Sequence, residues 1–116
     1  MIWRERALKH AIAEMPNESC GLVIREDGVE RYWPCRNISS EPEKTFVLDP
    51  EDWVKAEDMA EVIAVVHSHP TGAPDPSDAD IQACNASWLP WEIVSPETGE
   101  WASCKPTSVT PLATHP

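Results

Sequence analysis

The chain has 116 residues, 9 basic and 20 acidic, for a formal charge of −11; 41% are hydrophobic and 25% charged. That is the length of one domain with a modest core, and the composition excludes wholesale disorder. No basic stripe exists to meet phosphates, so nucleic acid is not an expected partner, and the acid excess disfavours anionic membrane surfaces.

Trp3, Ala7, Leu8, Ala11, Ile12 and Met15 recur at helical spacing, which predicts an amphipathic helix ending near Pro16. The start, Met1 to Arg6, lacks the basic-then-apolar order of a signal peptide. No apolar run approaches the ~20 residues that span a bilayer. The chain therefore reads as cytoplasmic.

Residues 19–36 read as a β-hairpin: two short apolar runs flank Arg25-Glu26-Asp27-Gly28, which holds an Asp-Gly turn signal. Asn37 to Lys44 is a polar loop, and Thr45 to Leu48 has the composition of a third strand. Asp49-Pro50-Glu51-Asp52 opens a helix running to about Ala60, with an Asp cap, Pro at the first position and acids in the first turn. Val62 to Val66 is continuously apolar, as in a central strand covered on both faces. Pro70 to Pro76 is a stiff loop, and Ser77-Asp78-Ala79-Asp80 starts a helix through about Ser87. Trp91–Ser95 and Trp101–Lys105 form a final strand pair, and the Pro/Thr-rich residues 106–116 read as a loose tail after a domain of residues 1–105. The mixture predicts an α/β sandwich, with helices on both sides of a mixed sheet.

Cys20, Cys35, Cys84 and Cys104 contain no C-x-x-C pair. They read as free thiols packed as small apolar groups, better than as a four-cysteine metal site.

The chemistry concentrates in His67-Ser68-His69-Pro70, with Ser77 and Asp80 following. The histidines stand at the carboxyl end of the central strand, where open α/β sheets hold ligands. Residues two apart on a strand point the same way, so both imidazoles reach one metal while Ser68 faces away. Asp80, about one turn into the next helix, is the third ligand. Two imidazoles and a carboxylate are a catalytic zinc set that leaves one position for water. Zinc there lowers the water's pKa from about 15.7 toward about 7. Glu18, between the first helix and the first strand, is the leading general acid/base. Ser77 is placed to donate to an oxyanion.

Plainer readings exist for each piece. Ser77 with Asp80 is equally a capping box that needs no metal. Two histidines at a strand end often serve structure, and Glu18 alone is one of twenty acids. His10 and His115 read as surface residues. The combination at this spacing favours the metal.

Glu18, His67-Ser68-His69-Pro70 and Ser77-x-x-Asp80 together resemble the JAMM motif of the JAB1/MPN/Mov34 metalloproteases. Asn17 to Leu22 resembles the family's segment around its catalytic glutamate, and Thr45 to Pro50 its third strand and second helix start, so the likeness covers roughly residues 1–105. It implies an α/β sandwich similar to cytidine deaminases, one zinc ion on His67, His69 and Asp80, Glu18 as acid/base and Ser77 stabilising a tetrahedral intermediate. The implied reaction is hydrolysis of peptide or isopeptide bonds, often beside the C-terminus of a ubiquitin-like protein. Deamination is disfavoured, because no H-x-E with a downstream P-C-x-x-C occurs.

Ala83 to Ser95 further resembles the JAMM domain of lambda-like phage tail assembly proteins of the K type. Those proteins usually continue into an NlpC/P60 cysteine peptidase domain. This likeness implies a phage tail protein or ubiquitin-like segment as partner, and action in the host cytoplasm or the virion. Two competing functions remain: a non-catalytic scaffold module, which six tryptophans would suit as a binding surface, and a cell-wall peptide hydrolase.

Overall fold

The computed structural model describes residues 2–107. Along them follow α1 (Ile2–Glu14), β1 (Cys20–Glu26), β2 (Val29–Cys35), α2 (Pro50–Met59), β3 (Glu61–Ser68), α3 (Asp78–Ser87), β4 (Trp91–Val94) and β5 (Trp101–Cys104). Asp27 and Gly28 both take positive φ, 53° and 79°, as the type I′ turn between β1 and β2 requires. The five strands lie in the order β2-β1-β3-β4-β5. Only the β3–β4 pair is parallel, reached by the crossover through α3; the other pairs are antiparallel. The β1–β3 register slips once: Val23 pairs with Ala64 but Ile24 with Val62, so Ile63 is bulged out of β3.

Strand alternation divides the core between the two faces of this sheet. Cys20, Leu22, Ile24 and Val65 join Ala56 of α2, Cys84 of α3 and Trp91 on one face. Val23, Ala64, Val66 and Tyr32 meet Trp3 and Ala7 of α1 on the other. The unbroken apolar run of β3 follows from this double coverage. Asp49 caps α2 by accepting from the Glu51 amide at 2.9 Å. Ser77 caps α3.

Two sequence expectations change. Thr45–Leu48 is extended but is not a strand; Leu48 alone bridges backbone to Asn37. The Asn37 side chain takes the places a partner strand would fill, accepting from the Val47 amide at 3.0 Å and donating to the Thr45 carbonyl at 3.1 Å. His10 is half-buried rather than on the surface, with Nδ1 2.6 Å from the Tyr32 hydroxyl. Burial pushes its pKa down, against the pull of Glu14. His115 and residues 108–116 of the expected tail lie outside the described residues.

The four cysteines are free, and all but Cys104 are buried. Burial pushes the thiols of Cys20 and Cys84 up to about 12, as befits small apolar groups. No described helix is long and apolar enough to cross a membrane.

Gly21 lies under the ring of Tyr32, whose hydroxyl bonds the Cys20 carbonyl at 3.3 Å. A Cβ at Gly21 would sit 2.6 Å from ring atoms that are themselves buried and tethered. Gly21→Ala should therefore destabilise the fold by about 1–3 kcal/mol, the cost of overpacking. Denaturant unfolding reads this directly, and an unchanged midpoint would mean that the ring moves away freely.

Candidate metal centre

His67 is the penultimate residue of β3 and shares the face of Val65, beneath α2 and α3. The chain stays extended past the strand: the His69 amide donates to the Val94 carbonyl at 3.0 Å, which keeps His69 on the same face. The two rings stand 5.2 Å apart between centroids. Phe46 stacks on His67 at 4.6 Å and Trp91 meets it edge-on at 5.6 Å. The ring of His67 is thus held in an apolar slot, 1% exposed.

The neighbours decide which nitrogens carry protons. His69 Nδ1 is 3.1 Å from the Ala73 carbonyl, which only accepts. His67 Nδ1 faces two acceptors, the Ser68 carbonyl at 3.4 Å and Glu18 Oε1 at 3.5 Å. With Nδ1–H thus engaged, each neutral imidazole turns the lone pair of Nε2 inward. Both lone pairs meet Asp80, at 3.1 Å from His67 to Oδ1 and 3.0 Å from His69 to Oδ2. The His67 contact is short but misaligned, and Nε2 is a buried nitrogen without a hydrogen bond. Lone pairs facing carboxylate oxygens repel unless a cation lies among them. His67, His69 and Asp80 each offer one ligand atom, all within 4.8 Å of one another, and could hold a metal ion. The donor set and the unbonded nitrogen both fit one.

Protons are the alternative cation. Burial would lower the pKa of His67, but the Asp80 and Glu18 carboxylates outweigh it and raise it above the ordinary 6.5. Asp80 raises His69 likewise, with burial opposing. Burial also works against charge on Asp80, yet the two histidines hold its carboxyl well below the ordinary 3.8.

Asp80 serves two structures at once. The capping box is complete: its amide donates to Ser77 Oγ at 3.1 Å, and its Oδ2 accepts from the Ser77 amide at 3.0 Å. The sequence posed helix cap and metal ligand as rivals, and the geometry accommodates both. At the third position of α3 the carboxylate also sits in the positive end of the helix dipole.

Glu18 is buried and reaches the site from the segment before β1. It is fixed relative to the histidines by Ser68, which sequence reasoning left simply facing away. Ser68 Oγ accepts from the Ser19 amide at 2.8 Å, and the Ser68 amide donates to the Ser19 carbonyl at 3.1 Å. A hydroxyl between the two histidines was the available signal. Phe46, the other contributor missed, carries no signal beyond being aromatic. Glu18, Phe46, His69, Ser77, Asp80 and Trp91 are among the residues lining one cleft of about 470 Å³. The structure therefore brings together every residue singled out from the sequence for chemistry.

Comparison with known proteins places the fold and the family. Residues 2–107 match the family described as prokaryotic homologs of the JAB domain. Over 109 residues the chain is 47% identical to tail tip assembly protein K of Escherichia phage N15, covering 94% of this chain and 45% of that protein. It thus spans less than half of that relative's length. It is also 34% identical to a probable TtuB-protein conjugate cleaving protease of Thermus thermophilus, over 77% of this chain and 63% of that one. Among solved structures, protein DSY2949 of Desulfitobacterium hafniense superposes with a TM-score of 0.70 at 30% identity, covering 88% of this chain and 77% of that one. The mixed sheet with its three helices is the α/β fold of JAB1/MPN domain proteins. The chain belongs to the prokaryotic JAB family.

The raised histidines add stability to the metal-free fold that is complete below pH 6.5 and is lost as pH rises through their folded values. The depressed Asp80 adds stability that is complete above pH 3.8 and is lost as pH falls. Chemical unfolding of metal-free protein should therefore show the site contributing most between those two values and weakening toward alkaline pH. Asp80→Asn, which keeps an acceptor for the cap, should flatten that dependence. A pH profile unchanged by the substitution would contradict the pairing.

Proposed function

We propose that this member of the prokaryotic JAB family is a zinc-dependent peptidase or isopeptidase acting on a protein partner. The observation that carries the reading is the convergence of His67 Nε2, His69 Nε2 and the Asp80 carboxylate, each imidazole having its outer nitrogen engaged by acceptors. A zinc ion held there would supply Lewis acidity, lowering the pKa of a water toward about 7 and polarising the scissile carbonyl.

The chain's own groups supply the rest. Glu18 takes a proton from the attacking water on its carboxylate and returns it to the leaving amine. Burial beside His67 keeps it in the cleft rather than in bulk water. Ser77 Oγ spends a lone pair on the Asp80 amide, so its own O–H stays free to donate to the developing oxyanion. Phe46 and Trp91 exclude water from the back of His67. Relatives named for cleaving TtuB conjugates and for tail tip assembly support a protein substrate. Cleavage of a ubiquitin-like or tail protein during phage tail assembly, in the host cytoplasm, joins the two. A scaffold role draws on one further observation: Trp88 alone among the six tryptophans is exposed, at 56%.

Zinc should bind with one ion per chain, measured by elemental analysis after dialysis. His69→Ala should lose it. Glu18→Gln should keep the metal and lower cleavage of a ubiquitin-like protein with a C-terminal extension by about 10²–10⁴-fold. Full activity in zinc-loaded Glu18→Gln would overturn the mechanism. Wild-type zinc content with no hydrolysis of peptide or isopeptide substrates would favour the scaffold.

A further inference from the structure

The carboxamide of Asn37 is fully used. Nδ2 donates to the Glu18 carbonyl at 3.0 Å and to the Thr45 carbonyl at 3.1 Å, with the Pro42 carbonyl at 3.5 Å. Oδ1 accepts from the Ser39 and Val47 amides, both at 3.0 Å. Two N–H groups and two lone pairs are all that an amide side chain offers. The loop so gathered returns the favour: the Glu18 amide donates to the Pro42 carbonyl at 2.7 Å. Both backbone groups of Glu18 are therefore held, one by Asn37 itself and one by the loop that Asn37 shapes. The same loop carries Thr45 and Phe46 into the cleft wall, and Phe46 stacks on His67.

We propose that Asn37 is a positioning residue that locks the Glu18 carboxylate and the Phe46 wall of the cleft into one unit. It hydrogen-bonds to none of His67, His69 and Asp80, and no atom of its amide is left to meet a substrate, so it acts through Glu18 and the loop. The proposal rests on Glu18 being the acid/base. Proton transfer along one hydrogen bond tolerates little misplacement: about 1 Å costs on the order of 10²-fold in rate. Aspartate at this position is the discriminating change. It keeps an acceptor for Ser39 and Val47 but loses both donors and sets an acid against the Glu18 carbonyl.

The test compares zinc-loaded wild type, Asn37→Asp, Asn37→Ala and Glu18→Gln. In Asn37→Asp, kcat on the extended ubiquitin-like protein should fall about 10-fold or more, with KM and zinc content near wild type. Asn37→Ala, which also frees the loop, should raise KM as well. Independently of activity, amide hydrogen exchange in Asn37→Asp should speed up at Glu18 while Leu22 and Val65 in the central strands stay protected. Wild-type exchange at Glu18, or acceleration spread evenly over β1 and β3, would overturn the proposal. So would wild-type kcat in Asn37→Asp alongside an inactive Glu18→Gln. An active Glu18→Gln would instead remove the functional reading, leaving the exchange result to judge Asn37 as a purely structural tether.

Discussion

The site depends on an electrostatic conflict that the fold imposes. Two imidazoles, their outer nitrogens engaged by the carbonyls of Ser68 and Ala73 and by Glu18, turn lone pairs onto the carboxylate of Asp80. Negative density faces negative density in a buried place, and only a positive charge relieves it. Protons do so in the metal-free chain, which is why both histidines are raised and Asp80 is depressed. A divalent ion held there would meet all three atoms together. Metal affinity and proton affinity are thus one property seen with different cations.

Ordinary structural devices hold this conflict in place. The capping box fixes Asp80 through bonds that α3 needs at its start in any case. The His69 amide extends the β3–β4 pairing past the strand end. Ser68 fastens the start of β1 to the end of β3, and so brings Glu18 beside the histidines. Each contact would occur in a protein without catalytic chemistry. Their coincidence at one end of a parallel strand pair makes the site.

Much of this was legible in the sequence because its signals are local. The Asp27-Gly28 turn, the Asp49-Pro50 helix start and the apolar run of β3 each carry their own conformational preference. The convergence of His67, His69 and Asp80 was legible for the same reason, since strand parity and helix capping both act over a few residues. Thr45–Leu48 was misread because its apolar composition suits a strand, whereas its partner is a side chain, Asn37, that composition does not reveal. His10 was misread as superficial because its burial comes from Tyr32 on a different element. The Phe46–His67 stack is equally non-local, joining residues that no periodicity links.

The bulge at Ile63 has a consequence for how this chain tolerates change in length. Because Ile63 is extra, it and Ala64 both lie on the α1 side, while Val62 and Val65 lie on the other. Deleting Ile63 would leave Val62 opposite Ile24 and Ala64 opposite Val23, now in an unbroken ladder. The rest of the strand would keep its pairing with β1, so His67 would stay opposite Cys20 and on its present face. An apolar residue remote from any reacting atom thus gives β3 one position of slack, and the first half of the strand absorbs the loss of a residue more readily than the gain of another.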